Sequence, residues 1–270
     1  MSSLLTRAAK IIRLPQSPDS EPEVLPDAAG LRCTVTGKIY PILDGVLQLL
    51  DAPPTLTKAQ RSLNSPIMAW FYDRFRGLLT KRVGVPPFRE EVRMTQKVLG
   101  IAPGDTVLDL ACGHGNFTVA WSKLAGPNGL VIGLDISDTM LRRAVTRVNK
   151  AGLENVLLVR GDALNLPIAT GRLTRLNCSG GFHQMPDIPR VIAELARVAG
   201  PGAHLTTSTF ARVPNDPNEA RKCKIEARYD DSLRFIPIDE LQHMLESAGF
   251  TNCTHQIPGG WFAYLSARRM

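Results

Sequence analysis

The chain has 270 residues, of which 44% are hydrophobic and 21% are charged. This composition is typical of a soluble globular protein, and the length suffices for one large domain or for a main domain with a small addition. The formal net charge of +7 is modest and the basic residues are scattered, so nucleic acid is an unfavoured partner. Five widely spaced cysteines include no C-x-x-C pair, which argues against a disulfide framework or a zinc knuckle and favours a reducing compartment.

The N-terminus carries a short basic amphipathic pattern. Its apolar residues fall on one helical face, with Arg7, Lys10 and Arg13 interspersed and no acidic residue before Asp19. Three interpretations fit this pattern: a helix that frays or packs on the rest of the protein, a helix in peripheral contact with a membrane, and an organelle-targeting segment. No apolar run is long enough to span a membrane, so we predict a cytoplasmic protein and leave targeting by residues 1–18 open.

Composition divides the chain into an N-terminal segment and linker at 1–30, a small β module at 31–56 and a main domain at 57–270. Within the module, short strand-like runs are separated by turns at Thr36-Gly37 and Asp44-Gly45. Such a small unit cannot bury a core alone, so we expect it to pack on the main domain. One cysteine, Cys33, does not make a zinc site, and no metal site is predicted.

Helix-like segments fill residues 57–100, for which we predict a helical lid. Strands then alternate with helices. We predict strands at 106–110, 130–134, 156–159, 173–178 and 204–209, and helices at 116–125, 137–150 and 188–199. Alternation of this kind implies a mostly parallel sheet covered on both faces. After a polar, irregular insertion at 211–236, a helix at 237–248 precedes two strands whose short connection requires antiparallel pairing. The predicted fold is therefore α/β and Rossmann-like, with a seven-stranded sheet that ends in an antiparallel hairpin.

The stretch V-L-D-L-A-C-G-H-G-N-F-T indicates a strand, a glycine turn and a helix, the junction at which open α/β sheets hold nucleotide-like ligands. Asp109 precedes the turn made by Gly113 and Gly115. Asp135 ends the second strand and Asp162 follows the third. All three carboxylates are expected at one rim of the sheet, where a carboxylate after the second strand can accept hydrogen bonds from both ribose hydroxyls.

A nicotinamide or flavin site is the main alternative for this turn. Its G-x-G-x-x-G pattern is incomplete here because Thr118 replaces the third glycine, and Asp109 is unexpected beside a pyrophosphate. A cationic sulfonium ligand with an ammonium group has no pyrophosphate and benefits from nearby acids. We therefore predict S-adenosylmethionine as the cofactor and S-adenosylhomocysteine as its product.

With D-x-A-C-G-x-G, D-I-S and G-D-A at these spacings, residues 66–268 resemble a class I S-adenosylmethionine-dependent methyltransferase. The chain is similar to the quinone- and sterol-methylating type, and more closely to the group that carries a small zinc-ribbon-like module in front. Thr36 replaces the second cysteine of that module's C-x-x-C pair, so its zinc site is incomplete. The resemblance implies cofactor contacts for Asp109, Ala111, Gly113, Gly115, Asp135, Ile136, Met140, Asp162, Ala163, Cys178 and Ser179.

The acceptor is expected beside the loop that follows the fourth strand. There, His183 is the candidate general base, because imidazole titrates near neutrality; the alternative is a wall of the loop. Phe182 and Gln184 are candidate substrate contacts, although Gln184 equally suits a helix cap. The run Trp70–Phe75 resembles a segment that covers the cofactor, which makes Tyr72 a lid candidate; an aromatic cluster on a helix also fits a core.

The predicted function is methyl transfer, by in-line displacement, to a small and partly apolar metabolite such as a polyketide, a quinone, a lipid or another specialised product. Two alternatives remain at this point. A methyltransferase fold can serve a cyclase or isomerase that keeps the cofactor without methyl transfer. The positive charge also allows an RNA methyltransferase, which would bind RNA in a salt-dependent manner.

Overall fold

The computed structural model describes residues 2–15, 17, 20–50, 52–65 and 85–270. The lid candidate Tyr72 and the aromatic run Trp70–Phe75 lie outside these ranges. The strands are β1 Glu23–Val24, β2 Gly30–Arg32, β3 Ile39–Leu43, β4 Val46–Gln48, β5 Thr106–Leu110, β6 Leu130–Asp135, β7 Val156–Arg160, β8 Leu173–Ser179, β9 Ala199–Arg212, β10 Ile236–Pro237, β11 Phe250–Gln256 and β12 Phe262–Arg269. The helices are α1 Ser2–Ala9, α2 Lys58–Asn64, α3 Phe88–Leu99, α4 Asn116–Ala125, α5 Asp138–Lys150, α6 Ile188–Val198, α7 Glu219–Arg228 and α8 Ile238–Ser247.

Seven strands of the main domain lie in the order β7-β6-β5-β8-β9-β12-β11. The first five run parallel, and β12 pairs antiparallel with both β9 and β11. Their buried runs of Val, Leu and Ile suit strands that are covered on both faces. The predicted fold class is confirmed, including the antiparallel hairpin at the C-terminus.

Helices cover both faces of this sheet. On one face, α3, α4 and α5 contribute Leu99, Trp121 and Leu141 to a core that packs on β5 and β6. On the other face, α1, α6 and α8 pack with residues such as Leu5 and Leu241. The parallel strands therefore present their carboxyl ends at one open rim, which is where the site forms.

The small N-terminal module adds its strands to the edge of the same sheet. Val46 of β4 pairs in parallel with Leu158 of β7, and β3, β2 and β1 follow with antiparallel pairing. The module thus packs on the main domain and brings the sheet to twelve strands within the described ranges. Its turn at Cys33 is closed by hydrogen bonds, including one from the Thr36 amide to Cys33 Sγ at 3.3 Å. Among the described residues, no group of three or more His, Cys, Asp or Glu is placed to hold a metal ion.

Helix α1 is part of the hydrophobic core. Leu4, Leu5 and Ala8 are buried, and the Arg7 guanidinium donates hydrogen bonds to the carbonyls of Asn128 and Gly129. Of the three interpretations of the amphipathic pattern, the structure shows the packing helix, because its apolar face is covered by the protein. None of the helices in the described ranges is long and apolar enough to cross a membrane.

The sequence predicted an irregular insertion at 211–236, but this segment contains the helix α7, Glu219–Arg228. The helix is anchored by Lys222, which is fully buried; its Nζ donates to the carbonyls of Ala211 and Gly260 at 2.6 and 2.8 Å and forms an ion pair with Asp216. A buried charge is tolerated when it is paired and hydrogen-bonded in this way. The prediction was wrong because the anchor is a lysine rather than an apolar stripe, so no helical hydrophobic period marks it.

Candidate active site

The glycine turn after β5 is the structural basis of the site. Ala111, Gly113 and Gly115 have φ of +54°, +54° and +79°, all in the left-handed region. A Cβ at Gly115 would lie 3.0 Å from the Cβ of Ala144 on α5, so glycine allows the turn to sit on that helix. A Cβ at Gly113 would meet no atom within 4 Å, so its outer side is open to a ligand. Strain at Ala111, a non-glycine residue that lines the cavity, is typical of functional loops.

Asp135 fixes this turn from the end of β6. Its Oδ2 accepts a hydrogen bond from the Gly113 amide and its Oδ1 accepts one from the Ser137 amide, both at 2.8 Å. Ser137 in turn caps α5 by accepting from the Met140 amide. Burial raises the pKa of Asp135 above its ordinary value. Each carboxylate oxygen can accept a second hydrogen bond, so the side chain retains capacity for a diol.

Asp109 lies beneath the turn and is only 2% exposed. Thr118 Oγ1 donates to its Oδ2 at 2.6 Å, and Asn177 Nδ2 donates to its Oδ1 at 2.8 Å. Burial raises the pKa of this carboxyl to about 6, against the opposing effect of the two hydrogen bonds. Asn177 Oδ1 also accepts from Ser179 Oγ and Thr206 Oγ1, which links Asp109 to β8 and β9.

One cavity of about 450 Å³ opens above the rim. Ten of the predicted site residues line it: Ala111, Gly113, Asp135, Ile136, Met140, Asp162, Ala163, Ser179, His183 and Gln184. Apolar side chains line it as well: Leu56, Ala59, Val85, Met185, Phe210, Leu233 and Phe262. The cavity therefore joins a polar, loop-bounded part to an apolar part.

Four predicted residues are absent from the cavity wall. Asp109 lies below it, and Gly115 faces α5. Cys178 points to the opposite face of β8 from Asn177 because side chains alternate along a strand, and burial raises the pKa of its thiol. Phe182 is fully buried in the core. Direct ligand contact by these four stays a prediction, and the structure gives each of them a supporting position.

His183 is buried within the cavity wall. Its ring lies 4.4 Å from the ring of Phe210, and burial lowers its pKa to about 3. The amide nitrogen of Gln184 lies 3.1 Å from Nε2, and Nδ1 lies 3.4 Å from Thr209 Oγ1. Because an amide nitrogen only donates, Nε2 is the accepting nitrogen and Nδ1 carries the proton. The imidazole is therefore neutral at physiological pH, with its basic lone pair already engaged.

The wall residues that sequence reasoning missed include Glu91, Ser208 and Phe210. Glu91 of α3 is 1% exposed, and its Oε1 accepts from the Tyr264 hydroxyl at 3.3 Å. These residues belong to no motif and come from elements far apart in the chain. The alternation of β9 side chains is the available signal, since Ser208 and Phe210 lie on one face of that strand.

Comparison with known proteins shows which proteins the chain is similar to. Residues 88–221 match the model of the ubiE/COQ5 methyltransferase family. A demethylmenaquinone methyltransferase of Listeria welshimeri is 28% identical over 200 residues, which cover 67% of this chain and 83% of that protein. The chain is a class I S-adenosylmethionine-dependent methyltransferase.

A second sequence relative and a solved structure are also methyltransferases by name. An uncharacterized chloroplastic methyltransferase of Arabidopsis thaliana is 28% identical over 255 residues, which cover 89% of this chain and 70% of that protein. The crystal structure of a SAM-dependent methyltransferase from Aquifex aeolicus shares the fold, with a TM-score of 0.55 and 24% identity over 70% of this chain and 96% of that chain. The cofactor of this methyltransferase is S-adenosylmethionine.

The residues of the methyltransferase fit this cofactor. The open side of Gly113 leaves room for a ligand against the backbone, and Asp135 has acceptor capacity suited to the ribose hydroxyls. Asp162 and Ala163 line the cavity near Ile136, where an adenine ring is expected. The network around Asn177 includes the Asp109 carboxyl, which lies beneath the turn where the resemblance implies the methionine part of the cofactor.

Proposed function

We propose that this methyltransferase acts on a small quinol-type metabolite, an oxygenated aromatic ring that carries an apolar substituent. One observation carries the proposal: a single cavity joins the cofactor loop to an apolar wall that includes Phe210, Leu233 and Phe262. Aromatic and aliphatic walls suit a flat ring and a hydrocarbon chain. The relative from Listeria welshimeri is named for methylation of demethylmenaquinone, which supports this substrate class.

The protein's own contribution is alignment and the exclusion of water. When bound, S-adenosylmethionine supplies a methyl group on a positively charged sulfur. Asp135 and the Gly113 turn would hold the ribose and the amino-acid part of the cofactor, and Phe210 and Phe262 would form the wall for the acceptor ring. Fixing two reacting atoms in line can supply several kcal/mol, and a dry wall suits a reaction in which charge disperses.

The general-base role of His183 stays a prediction. With a pKa of about 3, its imidazole is a weak base, and Gln184 already donates to its accepting nitrogen. A quinol that ionises before it reacts needs no strong base in the protein. We therefore propose that His183 acts mainly as a neutral part of the wall, with its ring tilted against that of Phe210.

Product analysis tests the function. The protein is incubated with S-adenosylmethionine and a 1,4-naphthoquinol that carries a short isoprenyl chain, and the masses of the products are measured by mass spectrometry. We expect a quinol that has gained one methyl group, together with S-adenosylhomocysteine. An isomer of unchanged mass would instead indicate a cyclase or isomerase, and an unchanged quinol with no S-adenosylhomocysteine would contradict the proposal.

For location, we propose a cytoplasmic protein that keeps α1. The buried side chains of Leu4 and Leu5 support retention, because removal of the helix would expose core surface. The Arabidopsis relative is named as chloroplastic, which supports the alternative that residues 1–18 target the protein to an organelle. N-terminal sequencing of the protein recovered from its own cells distinguishes them: a start at or near residue 1 supports our proposal, and a start beyond residue 14 contradicts it.

A further inference from the structure

Ser208 on β9 carries a hydroxyl group that the fold does not use. The residue is 1% exposed, and its Oγ is buried with no hydrogen-bond partner in the described part of the chain. Burial of an unsatisfied hydroxyl is unfavourable, and such groups are rare in folded proteins. Ser208 is also one of the residues that line the cavity.

The neighbouring hydroxyls on the same strand are satisfied. Thr206 Oγ1 donates to Asn177 Oδ1 at 3.1 Å, and Thr207 Oγ1 donates to the Cys178 carbonyl at 2.9 Å. Thr209 Oγ1 lies 3.4 Å from His183 Nδ1. Ser208 differs from these three neighbours: it lines the cavity, and its hydroxyl has no hydrogen-bond partner among the described residues.

The strand fixes where this hydroxyl lies. Side chains alternate along β9, so Ser208 shares a face with Thr206 on one side and Phe210 on the other. In the register of the sheet, Ser208 pairs with Ser179, which lines the cofactor end of the cavity. Its backbone carbonyl accepts from the Gly180 amide at 2.7 Å, which holds the strand against the loop. The hydroxyl therefore stands between the polar network and the aromatic wall.

We infer that Ser208 is a positioning residue that hydrogen-bonds an oxygen substituent on the ring of the methyl acceptor. The inference rests on the proposed function and specifies its substrate class. A hydroxyl both donates and accepts, so it suits a phenol, a phenolate or a quinone oxygen. The described part of the cavity wall contains no lysine or arginine to pair with a phosphate or a carboxylate, which favours an acceptor without a strong anionic group.

The test compares Ser208→Ala with Thr207→Ala in the full chain. Thr207 is also buried on β9, but its hydroxyl bonds within the protein. We expect Ser208→Ala to unfold in urea at the same or a higher concentration than the wild type, and to bind S-adenosylhomocysteine within about twofold. Its KM for the prenylated 1,4-naphthoquinol should rise about tenfold, the effect of one lost hydrogen bond, with a smaller change in kcat. Thr207→Ala should unfold at lower urea and keep its KM.

Two results would overturn the inference. If Ser208→Ala lowers the urea midpoint as much as Thr207→Ala does, the hydroxyl serves the fold; if the KM is unchanged, it does not hold the acceptor. Calorimetric titration of the naphthoquinol into the protein with S-adenosylhomocysteine bound separates this inference from the proposed function. Should the wild type bind the naphthoquinol without methylating it, weaker binding by Ser208→Ala still supports the inference, whereas the proposed function fails. Should the wild type bind no naphthoquinol, both are wrong.

Discussion

Replacement of Asp109 by asparagine should stabilise the unliganded protein in a pH-dependent manner. The carboxyl is buried, and its pKa rises from an ordinary 3.8 to about 6 in the fold. That rise corresponds to about 3 kcal/mol at 1.36 kcal/mol per pH unit. Asparagine keeps the shape: its oxygen can accept from Asn177, and its amide group can donate to Thr118 Oγ1.

The direction of the change in stability with pH follows from proton binding. Between pH 3.8 and 6 the folded wild type holds a proton on Asp109 that the unfolded chain releases, so the wild type loses stability as pH rises through this window. Urea unfolding of the wild type and Asp109→Asn from pH 4 to pH 8 measures the difference directly. We expect the variant to gain about 3 kcal/mol relative to the wild type across this range, with no further change above pH 7.

A matched control is Asp44→Asn in the small module. Asp44 is exposed and has a φ of +50°, a conformation that asparagine also adopts well. Its difference from the wild type should be small, because Asp44 pairs with Arg142 at the exposed surface and such ion pairs contribute little. A pH-independent difference for Asp109→Asn would refute the argument. A second consequence concerns ligands: Asp109→Asn should weaken binding of the cationic S-adenosylmethionine more than binding of neutral-sulfur S-adenosylhomocysteine, as calorimetry would show.

Three further perturbations test other parts of the structure. Gly115→Ala should destabilise the protein by about 2 kcal/mol more than Gly152→Ala, because both have positive φ but only Gly115 packs on Ala144; thermal unfolding of the pair would contradict this if the losses were equal. Leu5→Ala should cost about 2–5 kcal/mol in urea unfolding, since the side chain is fully buried, and a loss below about 0.5 kcal/mol would mean that α1 does not pack. His183→Asn should lower kcat less than about tenfold without removing an ionisation near pH 6–7 from the rate profile; a hundredfold loss with loss of such an ionisation would establish a general base.

The sheet and the cofactor loop could be predicted because each is encoded locally. Strand β5 and helix α4 have the predicted bounds, and β6, β7 and β8 lie within one residue of theirs. Strand β9 begins at Ala199, five residues before its predicted start at 204. Asp135 and Asp162 end or follow strands, and parallel strands bring such ends to one rim whatever the details of packing. The cofactor half of the site therefore follows from spacing.

The acceptor half could not be predicted in the same way. Ser208 and Phe210 lie on β9, and Glu91 lies on α3; only tertiary packing brings them to one cavity. The general-base interpretation of His183 assumed a pKa near neutrality, but burial changes that pKa, and burial depends on the whole fold. Helix α7 was not predicted because its buried anchor, Lys222, is a residue type that is usually exposed.

Calorimetric titration of S-adenosylhomocysteine into the wild type, Asp135→Ala and Asp138→Ala tests the cofactor site most directly. Asp135 accepts hydrogen bonds from the amides of Gly113 in the loop and Ser137 at the start of α5, and it is expected to bind ribose. Asp138 is a carboxylate on α5 that pairs with Arg142 at the surface. We predict one site per wild-type chain, about hundredfold weaker binding in Asp135→Ala, and unchanged binding in Asp138→Ala. A folded wild type that binds no S-adenosylhomocysteine, or equal affinity in all three proteins, would contradict the assignment of this rim as the cofactor site.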